Sequence, residues 1–167
     1  MRRNANGIVA SVSVDTTMMV PGIPMRSLRN PATGGETAAA PIDIVFETVL
    51  ENQGPFSKMA LKLEAWPGGR WYRDLGDNTG HLWGHVQVIK PPTILEICGP
   101  LMMSYPAVNH LQYRLTAEGV GTRLAFLHRG MGPILPEHRD GLPQGWQYWL
   151  ERIRELAERK HRSEKLR

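Results

Sequence analysis

Cysteine is nearly absent from this chain: Cys98 is the single one in 167 residues. One thiol excludes an intrachain disulfide framework and any multi-thiolate metal centre such as a zinc ribbon, and it suits a reducing cytoplasm. Long apolar runs are missing too. No window reaches the ~18 consecutive apolar residues of a spanning helix, so integral membrane association is not expected. The start, Met1-Arg2-Arg3 followed by the apolar run from Ile8 to Val14, imitates a secretory leader, but Ser11, Ser13 and Asp15 interrupt it. Charge of one sign is scarce: 20 Lys and Arg against 16 Asp and Glu give +4, which permits an anionic partner without requiring one. The basic end, with Arg159, Lys160, Arg162, Lys165 and Arg167, has no interleaved aromatic residue and complements a helix dipole, so no nucleic acid is expected as a partner. Metal-binding spacing is also lacking. There is no H-E-x-x-H, and His81 and His85 on one strand face lie about 13 Å apart, too far for one ion to bridge. Neither a metal nor a cofactor is expected.

What the sequence does have is punctuation. Its 17 Gly and 13 Pro, set among 41% hydrophobic residues, describe a folded, turn-rich chain with one core. Residues 1–32 read as an N-terminal arm, with a strand over 8–14 that nothing pairs locally, and residues 33–167 as the domain. Pro41 opens a helix over 41–52, where Ile42, Val45, Phe46, Val49 and Leu50 form one apolar stripe, and Gly54-Pro55 stops it. From Leu61 the period changes to two. Runs over 60–66, 70–75, 81–90, 93–98, 107–117 and 121–129, separated by Gly and Pro, predict six strands in an antiparallel meander, because parallel neighbours would need long crossovers. The last element is a helix over 144–162, begun near Pro136 or else starting or kinking at Pro143. Leu142, Trp146, Trp149, Leu150, Ile153, Leu156 and Ala157 gather on a stripe about 120° wide. Such a rod, about 30 Å long, crosses an entire sheet, and burying its five largest apolar side chains contributes on the order of 10 kcal/mol.

The element order of strand or arm, helix, meander and long helix is that of the α+β helix-grip fold, and local wording supports the likeness. Pro41-Ile42-Asp43-Ile44-Val45-Phe46 is similar to an "AP-x-x-x-V-F/W" opening, and Trp66-Pro67-Gly68-Gly69-Arg70-Trp71 to a "PGG-R-W/F" hairpin. Gly84-His85-Val86 with Pro91-Pro92 resembles a "G-x-V-x-x-x-x-PP" strand, Gly121-Thr122-Arg123-Leu124 a "GTRL" strand, and Gly145-Trp146 with Leu150 a "GW-x-x-x-L" helix signature. Together, over residues 41–160, these resemble the SRPBCC (START-like, Bet v-like) superfamily, and within it the branch named after the activator of the heat shock protein 90 ATPase. The resemblance implies a curved antiparallel sheet wrapped around the long C-terminal helix, with space between them for an apolar ligand. The sequence departs from the pattern at Thr33 to Ala39, a poor strand, and after Gly54, where a second short helix is almost missing.

Alternation then names the wall of such a cavity. Leu111, Tyr113 and Leu115 face inward from one strand and Leu124, Phe126 and His128 from the next, opposite Trp146, Trp149, Leu150 and Ile153 of the helix. His128 and Tyr113 are the acid–base candidates, although a histidine that simply satisfies a neighbouring backbone carbonyl is the commoner finding. Gly84 and Gly145 either leave room for a ligand or let backbones pack closely. Cys98 reads as a small buried hydrophobe, with Glu96 putting that face toward solvent. Leu101, Met102 and Met103 form a soft apolar loop, suited to a ligand or to folding over the sheet edge.

Three functions follow. The first is a binding protein, monomeric or homodimeric, for a small apolar or amphipathic molecule. The second, implied by the branch name, is a co-chaperone that activates a heat-shock ATPase, with a chaperone as partner. The third is a cyclase- or hydrolase-type enzyme of the superfamily, although nothing in the spacing demands catalysis.

Overall fold

The computed structural model of the chain describes residues 14–17, 34–55, 57 and 59–167. Its sheet is organised around β8 (Gly121–Met131). On one side follow β7 (Val108–Glu118), β6 (Ile94–Gly99), β5 (Thr79–Lys90), β4 (Arg70–Gly76) and β3 (Leu61–Leu63), each antiparallel to its neighbour in chain order. These are the six strands that the period-two runs predict. On its other side β8 is edged by two segments in tandem. β2 (Gly34–Ala38) runs antiparallel along Thr122 to Phe126, and β1 (Val14–Thr17) runs parallel along His128 to Met131.

Both N-terminal strands extend the sequence reading. The described strand begins at Val14, where the expected one over 8–14 ends, and residues 8–13 lie outside the described residues. The segment 34–38, poor in strand-forming side chains, is a strand because ladder bonds use backbone groups and the edge of β8 offers them. Gly121 permits the close approach, since a Cβ there would lie 2.7 Å from the Ala38 carbonyl oxygen.

Register shifts between Trp71 and Tyr72, Asp74 and Gly76, and Val86 and Val88 mark bulges in β4 and β5. Bulges bend strands, and here they curl the β3–β6 half of the sheet. The buried residues of the meander, among them Trp71, Trp83, Leu95, Ile97, Leu111, Tyr113, Leu115, Leu124 and Phe126, form one core with the helices. Glu96 accepts from Gln112 Nε2 at 2.6 Å on the opposite face, with Cys98 partly buried beside it in the alternation.

α1 (Ile42–Gln53) follows Pro41, whose carbonyl accepts the Val45 N–H at 3.1 Å. α2 is one helix, Pro136–Lys165, and Pro143 lies inside it rather than starting it. Proline cannot donate to the Arg139 carbonyl and costs about 3 kcal/mol in a helix interior; burial of Leu142 and Trp146 on either side offsets this. α2 lies against α1, where Arg152 Nε donates to Asn52 Oδ1 at 3.2 Å and Lys160 Nζ reaches Glu47 at 2.7 Å and Glu51 at 3.2 Å. No helix among the described residues is long and apolar enough to cross a membrane.

Gly84 and Gly99 face each other across β5 and β6. A Cβ on Gly99 would lie 2.3 Å from Gly84 Cα, and one on Gly84 would lie 2.8 Å from the Cys98 carbonyl oxygen. Gly84 therefore serves backbone packing and leaves no room for a ligand. Gly99→Ala is expected to cost about 2 kcal/mol, since the obstacle is backbone that cannot swing aside, and to lower Tm by roughly 4–8 °C in thermal circular dichroism.

Candidate functional site

Helical spacing puts His138, Gly141, Leu142, Gly145, Trp146 and Trp149 on one face of α2, three or four residues apart. Along this face lies a cavity of about 250 Å³. Trp83 of β5 lines it from the sheet, Met59 and Met102 border it, and Glu137 and His138 stand at the end set by the first turn of α2. The space exists because two helix positions carry no side chain. A Cβ on Gly141 or Gly145 would meet nothing within 4 Å. Trp83 is held in place by the edge of Trp71, with ring centroids 5.0 Å apart.

Met102 reaches the cavity through a local backbone device. Leu101 adopts φ 56°, a left-handed conformation, and its N–H donates to the Trp83 carbonyl at 2.8 Å. Leu101 and Met103 are thereby buried on either side while Met102 points outward. Leu101 and Met103 thus fold over the sheet edge, one of the two uses foreseen for this loop, and Met102 borders the cavity. Asn109, wholly buried in β7, clamps the loop through Nδ2, which donates to the carbonyls of Gly99 and Pro100, each at 3.3 Å.

Of the residues expected to wall a cavity, Trp146 and Trp149 border this one. Leu111, Tyr113, Leu115, Leu124, Phe126, His128, Leu150 and Ile153 are packed behind it as core. Rings connect the two regions: Tyr113 to Phe126 and Phe126 to Trp146, each 4.8 Å between centroids, then Trp146 to Trp149 at 6.2 Å.

His128 is fully buried and both its nitrogens are engaged. Trp146 Nε1–H, which can only donate, gives its hydrogen to Nδ1 at 2.9 Å, so Nε2 carries the proton and donates to Asn109 Oδ1 at 2.8 Å. Burial lowers its pKa to about 4, helped by the nearby His110. The imidazole is thus a neutral crosspiece between α2, β8 and β7. Tyr113 accepts from Gln53 Nε2 at 3.2 Å, and burial pushes its hydroxyl far above the ordinary tyrosine range. Neither group borders the cavity.

A different histidine and tyrosine do stand near it. Tyr105 Oη lies 2.6 Å from His138 Nδ1 and accepts the Leu135 N–H at 3.3 Å, and the two rings stack with centroids 5.6 Å apart. The sequence reading missed this pair because its helix was certain only from residue 144. Extending the stripe back by threes and fours from Trp146 to Leu142 and His138 is the signal that finds it. Trp149 carries a further feature: its Nε1 is buried with no hydrogen-bond partner in the protein. An unpaired buried donor of this kind costs about 1–3 kcal/mol.

His85 turns Nδ1 to within 3.2 Å of the Gly68 carbonyl, while His81 borders a shallow polar groove of the β4–β5 hairpin. Among the described residues no three His, Cys, Asp or Glu side chains lie together as a metal site would require.

No family model matches the sequence, and none of the curated proteins does. Solved structures do match. Protein MLL2253 of Mesorhizobium loti aligns with a TM-score of 0.60 at 18% identity, over 76% of this chain and 97% of its own. Ara h 8.0201 aligns with a TM-score of 0.56 at 12% identity, over 75% and 95%. The di-domain ARO/CYC StfQ of the steffimycin biosynthetic pathway aligns with a TM-score of 0.55 at 18% identity, over 77% of this chain and 44% of its own. With the curled sheet closing on a long C-terminal helix, these likenesses establish the helix-grip fold for this chain.

Proposed function

We propose that the protein binds a small hydrophobic or amphipathic molecule in the cavity between α2 and the sheet. The carrying observation is the space itself: apolar, walled by Trp83, Trp146 and Trp149, and kept open by two glycines on a helix where almost any other residue would fill it. Its volume lies just below the ~300–1,000 Å³ of sites for drug-sized molecules, which favours a compact ring system over a long chain. Met59 and Met102 at the border suit a ligand of adaptable shape. The lone Cys98 supports a cytoplasmic setting. The motif likeness to the heat-shock ATPase activator branch remains the ground for a chaperone partner, and an unchanged ATPase rate on addition of the protein would remove that alternative.

The test is a titration with naphthalene-based probes and medium-chain fatty acids, followed by tryptophan emission, because three indoles line the site. Saturable quenching with Kd on the order of 10 µM is expected for the ring compounds. Emission unmoved by every probe would overturn the reading.

A second reading, an enzyme of the cyclase or hydrolase kind, is favoured by the Tyr105–His138 pair at the cavity end and by StfQ's place in a biosynthetic pathway. Mass spectrometry of the bound molecule separates the two: a binding protein returns it unchanged, an enzyme converts it.

A further inference from the structure

We infer that the cavity sorts ligands by charge: it takes a compact ring compound whose polar end is a protonated amine, held at the Glu137 end, and turns carboxylates away. This rests on the cavity being the binding site.

The composition of the wall carries the argument. Among the described residues that border the space, Glu137 is the sole one of the Asp, Glu, Lys and Arg types, and apart from His138 the others are glycine, leucine, methionine and tryptophan. A carboxylate taken out of water needs a cation or several donors in its place. Neither lysine nor arginine is there to serve it, and His138 already has Nδ1 turned to Tyr105 Oη at 2.6 Å.

The field at this end has three further contributors to weigh. The positive end of the α2 dipole lies here and is equivalent to about half a charge, which Glu137 in the first turn outweighs with a whole one. Arg139, the next residue but one, pairs with Asp140 at 2.9 Å, so these two largely cancel at a distance. The balance is negative, although the protein as a whole carries +4. Because Glu137 is itself a wall residue, its charge acts within the ~8 Å over which charges are felt at physiological salt.

Placement suits an amphipathic cation. Glu137 is exposed, so an ammonium group beside it keeps part of its water while the ring occupies the apolar space bordered by Trp83 and Trp146. Exposure also sets the size of the effect. An ion pair in contact with water changes affinity a few-fold rather than by orders of magnitude.

Three probes share a naphthalene ring and differ in the end group: 2-(aminomethyl)naphthalene, 2-naphthalenemethanol and 2-naphthoate. Calorimetry on the full chain at pH 8, where an ordinary histidine is uncharged, compares them. The amine is expected to bind about threefold tighter than the alcohol and at least about tenfold tighter than the carboxylate. Glu137→Gln is expected to bring the amine down to the level of the alcohol. Glu137→Lys is expected to bring the carboxylate level with the amine or ahead of it, with the alcohol unchanged to within about twofold. Both substitutions fall on an exposed side chain, and circular dichroism reports the fold. A carboxylate that binds wild type as well as the amine does, or an amine preference that survives both variants, would overturn the proposal, while binding of the alcohol leaves the cavity reading standing. Wild-type protein that binds none of the three would overturn both.

Discussion

Gly145→Phe is expected to abolish ligand binding while leaving the fold at least as stable as before. The Cα–Cβ direction at this position opens on space with nothing within 4 Å, and that space is the cavity between Trp83 and Trp146. A phenyl ring there occupies the volume a ligand needs, so affinity for the naphthalene probes falls roughly 100-fold or more. Stability moves the other way. Glycine in a helix interior is about 1 kcal/mol worse than alanine, and the new ring gains apolar contacts, so Tm holds or rises. Tryptophan quenching and a thermal melt on the same sample check both halves. Unchanged affinity in a folded variant would move the ligand site elsewhere.

The second large effect concerns acid. His128 has a pKa near 4 in the folded chain against the ordinary 6.5 it regains on unfolding, chiefly because it is buried. Between those values the unfolded chain binds more protons than the native one, so stability is complete above about pH 6.5 and is lost as pH falls toward 4. At 1.36 kcal/mol per pKa unit the loss from this one group is about 3 kcal/mol. His128→Gln offers a neutral replacement. Its carbonyl accepts from Trp146 and its amide donates to Asn109, and it does not titrate. The variant is expected to be less stable than wild type at pH 7 by about 1 kcal/mol and to lack this part of the acid dependence. Urea unfolding at pH 7 and pH 4.5 measures it. Parallel losses in the two proteins would show that His128 does not carry the effect.

Alternation made the core legible in the sequence: Leu111, Tyr113, Leu115, Leu124 and Phe126 face the interior because residues two apart share a strand face, whatever the tertiary context. The stripe of α2 was legible for the same kind of reason, and with it Trp146 and Trp149. The cavity's position was not. It depends on Met102 pointing outward, which follows from the left-handed backbone of Leu101 and its bond to Trp83, a pairing across segments with no local trace. It also depends on α2 passing through Pro143, since only then do Gly141 and His138 join the face. Gly84 and Gly145 look alike in the sequence and differ in what stands opposite: a neighbouring strand's backbone for one, open space for the other. The strand 34–38 was obscured because its stability comes from the edge it joins rather than from its own side chains.

The tandem seating of β1 and β2 on β8 also protects the molecule from its neighbours. A sheet rim with unsatisfied amides invites a strand from another copy, the first step toward fibrils. Here one rim is divided between two short strands, β1 of four residues and β2 of five, and the opposite rim is β3, only three residues long. So little free template remains that self-association through strand addition is disfavoured at either end.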